Sequence, residues 1–558
     1  MKDLVQDIKL PASKSISNRI LIIKALSEYY NISNKFEIEN LAKCDDTDKM
    51  LLVLNLFFSH FNKEVNNNNL SMNSYYREFI DETQNYNINH SGTAMRFLTA
   101  FFSIVKGKFT LTGSERMQHR PIHILVDALN TLGGNIKYKK DEGYPPLLIK
   151  GCHLLGGEID IESSVSSQYI SALMMIAPYM QRGLTINLVG EVVSSSYIFM
   201  TSQIMKQLDA KLCLYLDDEV DKEGLDNIHK YNSCSTCSMN SDSSDAVDKE
   251  GLDNIHKFST CMDNSEKKLR RIKIYPISYL NSLNRISTST SGRTELEEQI
   301  KSDDDKIYIN TIKTQTKKVV LKIESDWSAA SYFYEYLLIK GHGRLKLKNL
   351  YKNSMQGDSK QVAYWEKLGI TTKFIEDAII IETNLKSQNL LKLGFKSLLK
   401  LDFTEMPDIA LSFIVACCLS GIKFTFTGLQ TLKIKECDRI DAIITEMKKL
   451  GYVLINNDLG VLSWIEDKEN DIHTAGNEID KRDNINSIDD NVDIRTNIES
   501  NKIDVTRVNP INIRTYNDHR MAMALAPARI KYPKLIIENS EVVEKSFPDY
   551  WKQTVNLF

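Results

Sequence analysis

The stretch from Pro11 to Tyr30, PASKSISNRILIIKALSEYY, decides how the rest of the chain is read. Ser13 is placed to open a helix, Lys14 and Arg19 put two cations at its start, and the body that follows is apolar on all sides. A helix of that kind must be buried. Its first turn nonetheless carries hydroxyls and positive charge, where unpaired N–H groups and the helix dipole already favour an anion. Burying such an end without an anionic partner is costly. The segment therefore points to a buried helix that presents its N-terminus to an anion. A plain capped helix with two solvated basic residues is the alternative this stretch alone leaves open.

Five further segments share the shape: NHSGTAMRFLTAFFSIVKG from Asn89, SSVSSQYISALMMIAPYM from Ser163, ESDWSAASYFYEYLLIKG from Glu324, TEMPDIALSFIVACCLSG from Thr404 and TYNDHRMAMALAPARI from Thr515. Lys14 to Ser91 is 77 residues and Ser91 to Ser166 is 75, so the openings recur with a period. Between them lies an amphipathic helix type that often ends in Leu-Gly, as in the segments from Arg116, Gln356 and Glu436, with a further copy from Ser196. Glycine at such an end suits a left-handed C-cap. Short runs such as NIKYKK, PLLIKG and KLCLYL follow and read as strands. The repeat predicts six copies of one unit, each with a buried helix, a surface helix and several strands. If the units pack alike, the buried helices aim their N-termini at one face of each domain, and two such faces make an anion-binding cleft.

With 558 residues the chain is long enough for two large domains. A net charge of −3 argues against general nucleic-acid binding, which wants a basic surface. No run of eighteen apolar residues occurs, and MKDLVQDIKLPASK lacks a signal-type apolar core, so the expectation is a cytoplasmic protein with no membrane partner. The nine cysteines are odd in number and scattered, which disfavours structural disulfides. Cys234, Cys237 and Cys261, with His229 and His256, have zinc-like spacing, but they sit in Ser- and Asp-rich filler and no metal is expected. That filler repeats VDKEGLDNIHK at Val220–Lys230 and Val247–Lys257. Low-complexity insertions are assigned to about 217–317 and 466–509, with a smaller Asn-rich stretch after Val65, all expected to be poorly ordered and dispensable for chemistry.

Eight motifs make the reading specific: SKSISNR at Ser13, SGTAMR at Ser91, ERMQHRP at Glu115, SSQY at Ser166, MPD at Met406, IKECDRI at Ile434, YNDHRMAM at Tyr516 and KSFPDYW at Lys545. In this order they resemble the enolpyruvyl transferases, over nearly the whole chain apart from the filler. The resemblance implies an α/β fold of two domains, an inside-out α/β barrel with three βαβαββ repeats per domain around buried parallel helices. It divides the chain into residues 1–12 with 318–558 as one domain and 13–317 as the other. It implies transfer of the enolpyruvyl group of phosphoenolpyruvate to the 5-hydroxyl of shikimate 3-phosphate with release of phosphate. That reaction is a step of the shikimate pathway towards chorismate and aromatic amino acids, with no cofactor and a monomer expected.

Carried over residue by residue, the resemblance puts phosphoenolpyruvate against Lys14, Gly92, Arg120, Gln168, Arg439, Arg520 and Lys545. It puts shikimate 3-phosphate against Lys14, Ser15, Arg19, Ser166, Ser167, Gln168, Ser194, Tyr197, Asp408 and Lys435. Lys14, Asp408 and Glu436 are the expected catalytic groups, with Asp408 accepting a proton from the sugar hydroxyl and Glu436 delivering one to the methylene carbon. For each serine, helix capping is the bland alternative. His519 is expected to orient or pack rather than act as a base.

The chain departs from the usual pattern at His90, Phe97, Ser196, Thr431 and Cys437, where Asn, Pro, Pro, Asn and Thr are frequent. His90 and Thr431 are therefore left out of the expected site. The nearest rival is the related transferase acting on UDP-N-acetylglucosamine. It is disfavoured by Lys14-Ser15, where that branch has Asn after the lysine, and by the lack of a cysteine between Thr112 and Pro121. An inactive relative kept as a binding protein is disfavoured by the intact Lys14, Asp408, Glu436 and Lys545.

Overall fold

The computed structural model describes residues 6–30, 32, 36–67, 82–163, 166–190, 192–208, 210–217, 228–231, 269–277, 319–383, 398–457, 459–465 and 510–557. The stretch at 466–509, the Asn-rich residues 68–81 and the would-be zinc positions Cys234, Cys237, Cys261 and His256 lie outside these residues.

Two hydrophobic cores form. The first is built on helices α1 (Lys14–Tyr29), α2 (Asp45–Asn67), α3 (Gly92–Ile104), α4 (Glu115–Gln118), α5 (His123–Thr131), α6 (Ser167–Ile176) and α7 (Ser195–Gln207). The second is built on α8 (Trp327–Lys340), α9 (Gln361–Lys367), α10 (Ala410–Leu419), α11 (Arg439–Lys449), α12 (His519–Leu525) and α13 (Tyr550–Thr554). Helices α1, α3 and α6 pack on one another at the centre of the first core; in the second, α10 packs against both α8 and α12, and the turn that continues α12, Ala526–Ile530, packs against α8. In α3 the side chains from Ala94 to Ile104 are all buried, as the sequence pattern requires. Two of their hydroxyls are satisfied locally; Thr99 Oγ1 donates to the Met95 carbonyl at 2.7 Å and Ser103 Oγ to that of Ala100 at 2.6 Å.

Caps set where these helices begin. Ser13, Ser91, Ser166, Asp326 and Asp518 each accept a backbone N–H with the side chain. The second helix type ends as its glycines predict: Gly133, Gly369 and Gly451 follow α5, α9 and α11 at φ 99°, 81° and 88°.

Sheets lie outside the helices. In the unit around α3, strand Thr83–Asn87 runs parallel to Gly107–Thr112, which pairs antiparallel with Leu147–Gly151, which pairs antiparallel with Ile136–Tyr138. With α3 and α5 between the strands the chain order is βαβαββ. The units around α6 and α10 repeat this order. Leu269–Ile274, inside the span assigned to an insertion, is an inner strand of the α6 sheet, and Ile228–Tyr231 adds an edge to it. Among the described residues the sheets stay open rather than closing into one barrel.

The units around α1 and α8 exchange strands. Gln6–Ile8, at the start of the chain, pairs in parallel with Arg344–Lys348 of the second core. Val319–Lys322 pairs in parallel with Phe36–Glu39 of the first. The chain thus passes between cores twice. Ile8 and Leu10 belong to the second core and Ala12 to the first, while Ile323 belongs to the first and Trp327 to the second. The two passages lie side by side, joined by an antiparallel bridge between Ala12 and Ser325, with Ser13 N donating to Glu324 O at 2.8 Å and Asp326 N to Pro11 O at 2.9 Å.

Candidate active site

A cleft opens where the helix starts converge. Its lining includes Lys14 and Ser15 from α1, Gly92 from α3, Arg120 after α4, Ser166, Ser167 and Gln168 from α6, and Ser194 and Tyr197 from α7. From the second core come Asp408 before α10, Lys435, Glu436 and Arg439 around the start of α11, and Arg520 from α12. Arg19 also lines it. Lys545 stands behind the lining, its ammonium 2.7 Å from Glu436 Oε1. All the residues assigned from sequence are thus brought together. Of the six core helices, five start at the cleft; α8 only backs it, through Ser328 Oγ, which is 3.4 Å from Arg520 Nη2.

The first-core wall is cationic with little to balance it. Arg19 is 2% exposed and donates only to neutral oxygens: Thr201 Oγ1 at 2.6 Å, the Ser15 carbonyl at 2.9 Å and Ser171 Oγ at 3.1 Å. Its guanidinium also lies 5.3 Å from the Phe97 ring centroid and 5.6 Å from that of Tyr197. Burial without a carboxylate pulls it down to about 10. Arg120, whose Nε has no partner, is pulled down to about 10 by burial and then by the neighbouring Arg96. Arg96 donates to the Gly92 carbonyl at 2.8 Å and lies over the Tyr169 ring. A Cβ on Gly92 would come 2.5 Å from Arg120 Nη1, so the glycine makes room for an arginine at this helix start as well as for a ligand. Lys14 is the exception on this wall. Burial works against its charge, but Asp46 at 2.9 Å, together with Cys44 and Glu436, outweighs burial and raises the ammonium to about 12.

The second-core wall balances its own charge. Arg439, 1% exposed, reaches Asp518 Oδ2 at 2.7 Å, Glu436 Oε2 at 2.8 Å and Asp408 Oδ1 at 2.9 Å. Asp408 also faces Lys435 at 3.3 Å and Arg520 at 3.5 Å. Burial works against the Asp408 charge, but Lys435, Arg520 and Arg439 together hold the carboxyl far below the usual carboxylate range. Glu436 is likewise held well below it, burial being outweighed by Lys545, Arg439 and Arg120. Both groups are carboxylates in this structure.

Lining residues not expected from the sequence include Asp46, Thr93 and Arg96. Arg96 stood inside the SGTAMR motif, four residues after Gly92, where an arginine reaches back over the helix start. Asp46 lay in the acidic run that opens α2. Thr431, left out from sequence, lines the cleft with its buried Oγ1 unpartnered. His90, also left out, stays away and meets Ser114 Oγ at 2.8 Å. His519 lines the cleft too; burial and then Lys14 hold its imidazole neutral, and neither ring nitrogen has a hydrogen-bond partner.

Paired carboxylates and surplus buried cations on facing helix starts define a site for joining two polyanions. The family model for EPSP synthase (3-phosphoshikimate 1-carboxyvinyltransferase) matches residues 1–240 and 296–554. The chain belongs to that family. It is 35% identical over 544 residues to the 3-phosphoshikimate 1-carboxyvinyltransferase of Bacteroides fragilis, covering 98% of this chain and 93% of that protein. It is 26% identical over 555 residues to that of Tolumonas auensis, covering 99% and 96%. The fold is similar to that of an EPSP synthase from Acinetobacter baumannii at a TM-score of 0.52 and 14% identity, covering 100% of this chain and 97% of that one.

Proposed function

We propose that this chain transfers the enolpyruvyl group of phosphoenolpyruvate to the 5-hydroxyl of shikimate 3-phosphate and releases phosphate. The observation that carries this reading is the pairing of a wall with surplus buried cations and a wall holding two ionised carboxylates. Each substrate brings a phosphate and a carboxylate. Two unit charges about 4 Å apart interact by roughly 4 kcal/mol at an effective dielectric near 20, so the substrates meet only with cations between them.

Shikimate 3-phosphate lies against Ser15, Arg19, Ser166, Ser167, Ser194, Tyr197 and Lys435, and phosphoenolpyruvate against Gly92, Arg120, Arg439, Arg520 and Lys545, with Lys14 and Gln168 serving both. Thr431, with its free buried hydroxyl, joins the sugar-phosphate group. In the addition Asp408 takes the proton of the attacking hydroxyl as its C–O bond forms and Glu436 delivers one to the methylene carbon; in the elimination Glu436 takes a proton back from the resulting methyl as the C–O bond to phosphate breaks, and phosphate leaves with the proton held by Asp408. With Lys435, Arg520, Arg439 and Lys545 set against them, both carboxylates are too acidic for this work. Substrate anions that draw Arg439, Lys435 and Lys545 away let both values climb towards the range where proton transfer is efficient. The two substrates thus switch on the groups that act on them. The two cores act as two domains that bend about the paired passages at Pro11–Ser13 and Glu324–Trp327.

Phosphate release measured with both substrates tests the reading. The protein should release phosphate only when both are present, and Asp408→Asn should lower kcat by roughly 10²- to 10⁴-fold. A Lys14→Met variant should lose activity as well. Turnover of either variant at the wild-type rate would refute the assignments.

A further inference from the structure

Helix α7 has a beginning that its own sequence does not cap. Ser194, at the cap position, is in the left-handed region with φ 58° and makes no side-chain cap bond. The acceptor comes from the other core. Glu405 Oε2 accepts from Ser196 N at 3.0 Å and from Ser195 Oγ at 2.7 Å. Two carbonyls of the same loop complete the joint: Ser194 N donates to Thr404 O at 3.2 Å and Ser196 Oγ to Glu405 O at 3.0 Å. Gly357, also of the second core, is seated on the same serine, since a Cβ there would lie 2.2 Å from Ser196 Cβ.

We propose that Glu405 is a closure latch, a positioning residue that caps a helix of the opposite domain only while the cleft is shut. A carboxylate at a helix N-terminus satisfies unpaired N–H groups and meets the positive end of the dipole. These bonds are charge-assisted, so they are strong for their number. The joint holds both sides of the reaction at once. On one side it fixes the turn that carries Ser194 and Tyr197 into the cleft. On the other, Glu405 lies three residues before Asp408, on the turn that presents the acceptor carboxylate. Ser196 stands where the resemblance to relatives led to the expectation of proline. A proline has neither the N–H nor the hydroxyl that meets Glu405 here, so the latch belongs to this chain's own residues.

The inference rests on the transfer reaction proposed above, and the test separates the two. Kinetics with both substrates and small-angle scattering with shikimate 3-phosphate plus an unreactive phosphoenolpyruvate mimic are compared for wild type, Glu405→Ala, Glu405→Gln, Ser195→Ala and the double variant Glu405→Ala/Ser195→Ala. Losing a charged acceptor shared by two donors should lower kcat/KM by roughly 10- to 100-fold in Glu405→Ala. Glu405→Gln keeps an acceptor and should recover most of that loss. Ser195→Ala added to Glu405→Ala should cost under about 2-fold more, because its partner is already gone. Wild type should compact with ligands and Glu405→Ala should compact less, while the ligand-free unfolding midpoints of the two coincide. Full activity and full compaction in Glu405→Ala would overturn the latch, as would independent, multiplying effects of the two substitutions. If wild type compacts with the ligands but releases no phosphate, the reaction reading fails while the scattering comparison still decides the latch.

Discussion

The two walls of the cleft handle buried charge in opposite ways. On the first-core wall Arg19 is buried without a carboxylate and the half-buried Arg120 has no carboxylate within ion-pair distance among the described residues, and burial weakens both as cations. On the second-core wall Arg439 is just as deeply buried but is held by three carboxylates and strengthened. A buried guanidinium without a counter-ion costs stability that only a ligand can return, whereas a buried network is self-sufficient until something competes for its members. On the reaction proposed above, the first wall receives anions and the second frees its carboxylates when anions arrive.

The strongest challenge to this contrast is on the second wall. Asp518 is fully buried, accepts from Arg439 at 2.7 and 3.2 Å and caps α12. Asp518→Asn should destabilise the ligand-free protein by about 3–5 kcal/mol in chemical denaturation, because it breaks a buried pair. A cost below about 1 kcal/mol would mean the network is not holding the wall together. On the first wall the sign should reverse. Arg19→Met removes a charge that burial penalises, so ligand-free stability should hold or rise by about 1–2 kcal/mol. The thermal shift caused by shikimate 3-phosphate should vanish. A large loss of ligand-free stability in this variant would erase the difference between the walls.

The smallest expected effect concerns Glu335, a carboxyl inside α8 that is 0% exposed and has both oxygens unpartnered. It is a buried carboxyl of the second core with no cation beside it to hold it ionised. Burial raises it well above the usual range, so it is neutral in the fold. An unfolded glutamate titrates near 4.3. A group raised in the folded state stabilises below the unfolded value and loses that contribution as pH rises towards the folded value. Wild type should therefore lose about 1 kcal/mol relative to Glu335→Gln between pH 5 and pH 6. Parallel stability curves would show that Glu335 finds a compensating partner.

The sequence made the helix starts legible because their caps are local: Ser13, Ser91 and Ser166 bond N–H groups two or three residues on. Leu-Gly ends were readable for the same reason. The site followed from motifs at those starts, apart from residues whose role depends on a distant partner. Asp46 matters because α2 lays it against Lys14, and Glu405 because α7 lacks a cap of its own. Neither relation has a sequence period. The pairing of Gln6–Ile8 with Arg344–Lys348 left no mark in the residues themselves; only the resemblance put residues 1–12 with the later part of the chain. Leu269–Ile274 was taken into an insertion because Ser- and Asp-rich residues surround it, although its apolar side chains at Leu269, Ile272 and Ile274 fill the core.

The exchanged strands also dictate when the protein can be finished. Gln6 waits 339 residues for Leu345, and Phe36 waits 283 residues for Val319. At roughly 5–20 residues per second on the ribosome, a delay of that length lasts roughly 15–60 s. Throughout it the emerging amino-terminal half has an unsaturated backbone edge of the kind that invites association with other chains. Synthesis must therefore pass Val319–Lys322 and Arg344–Lys348 before the first two strands find their places.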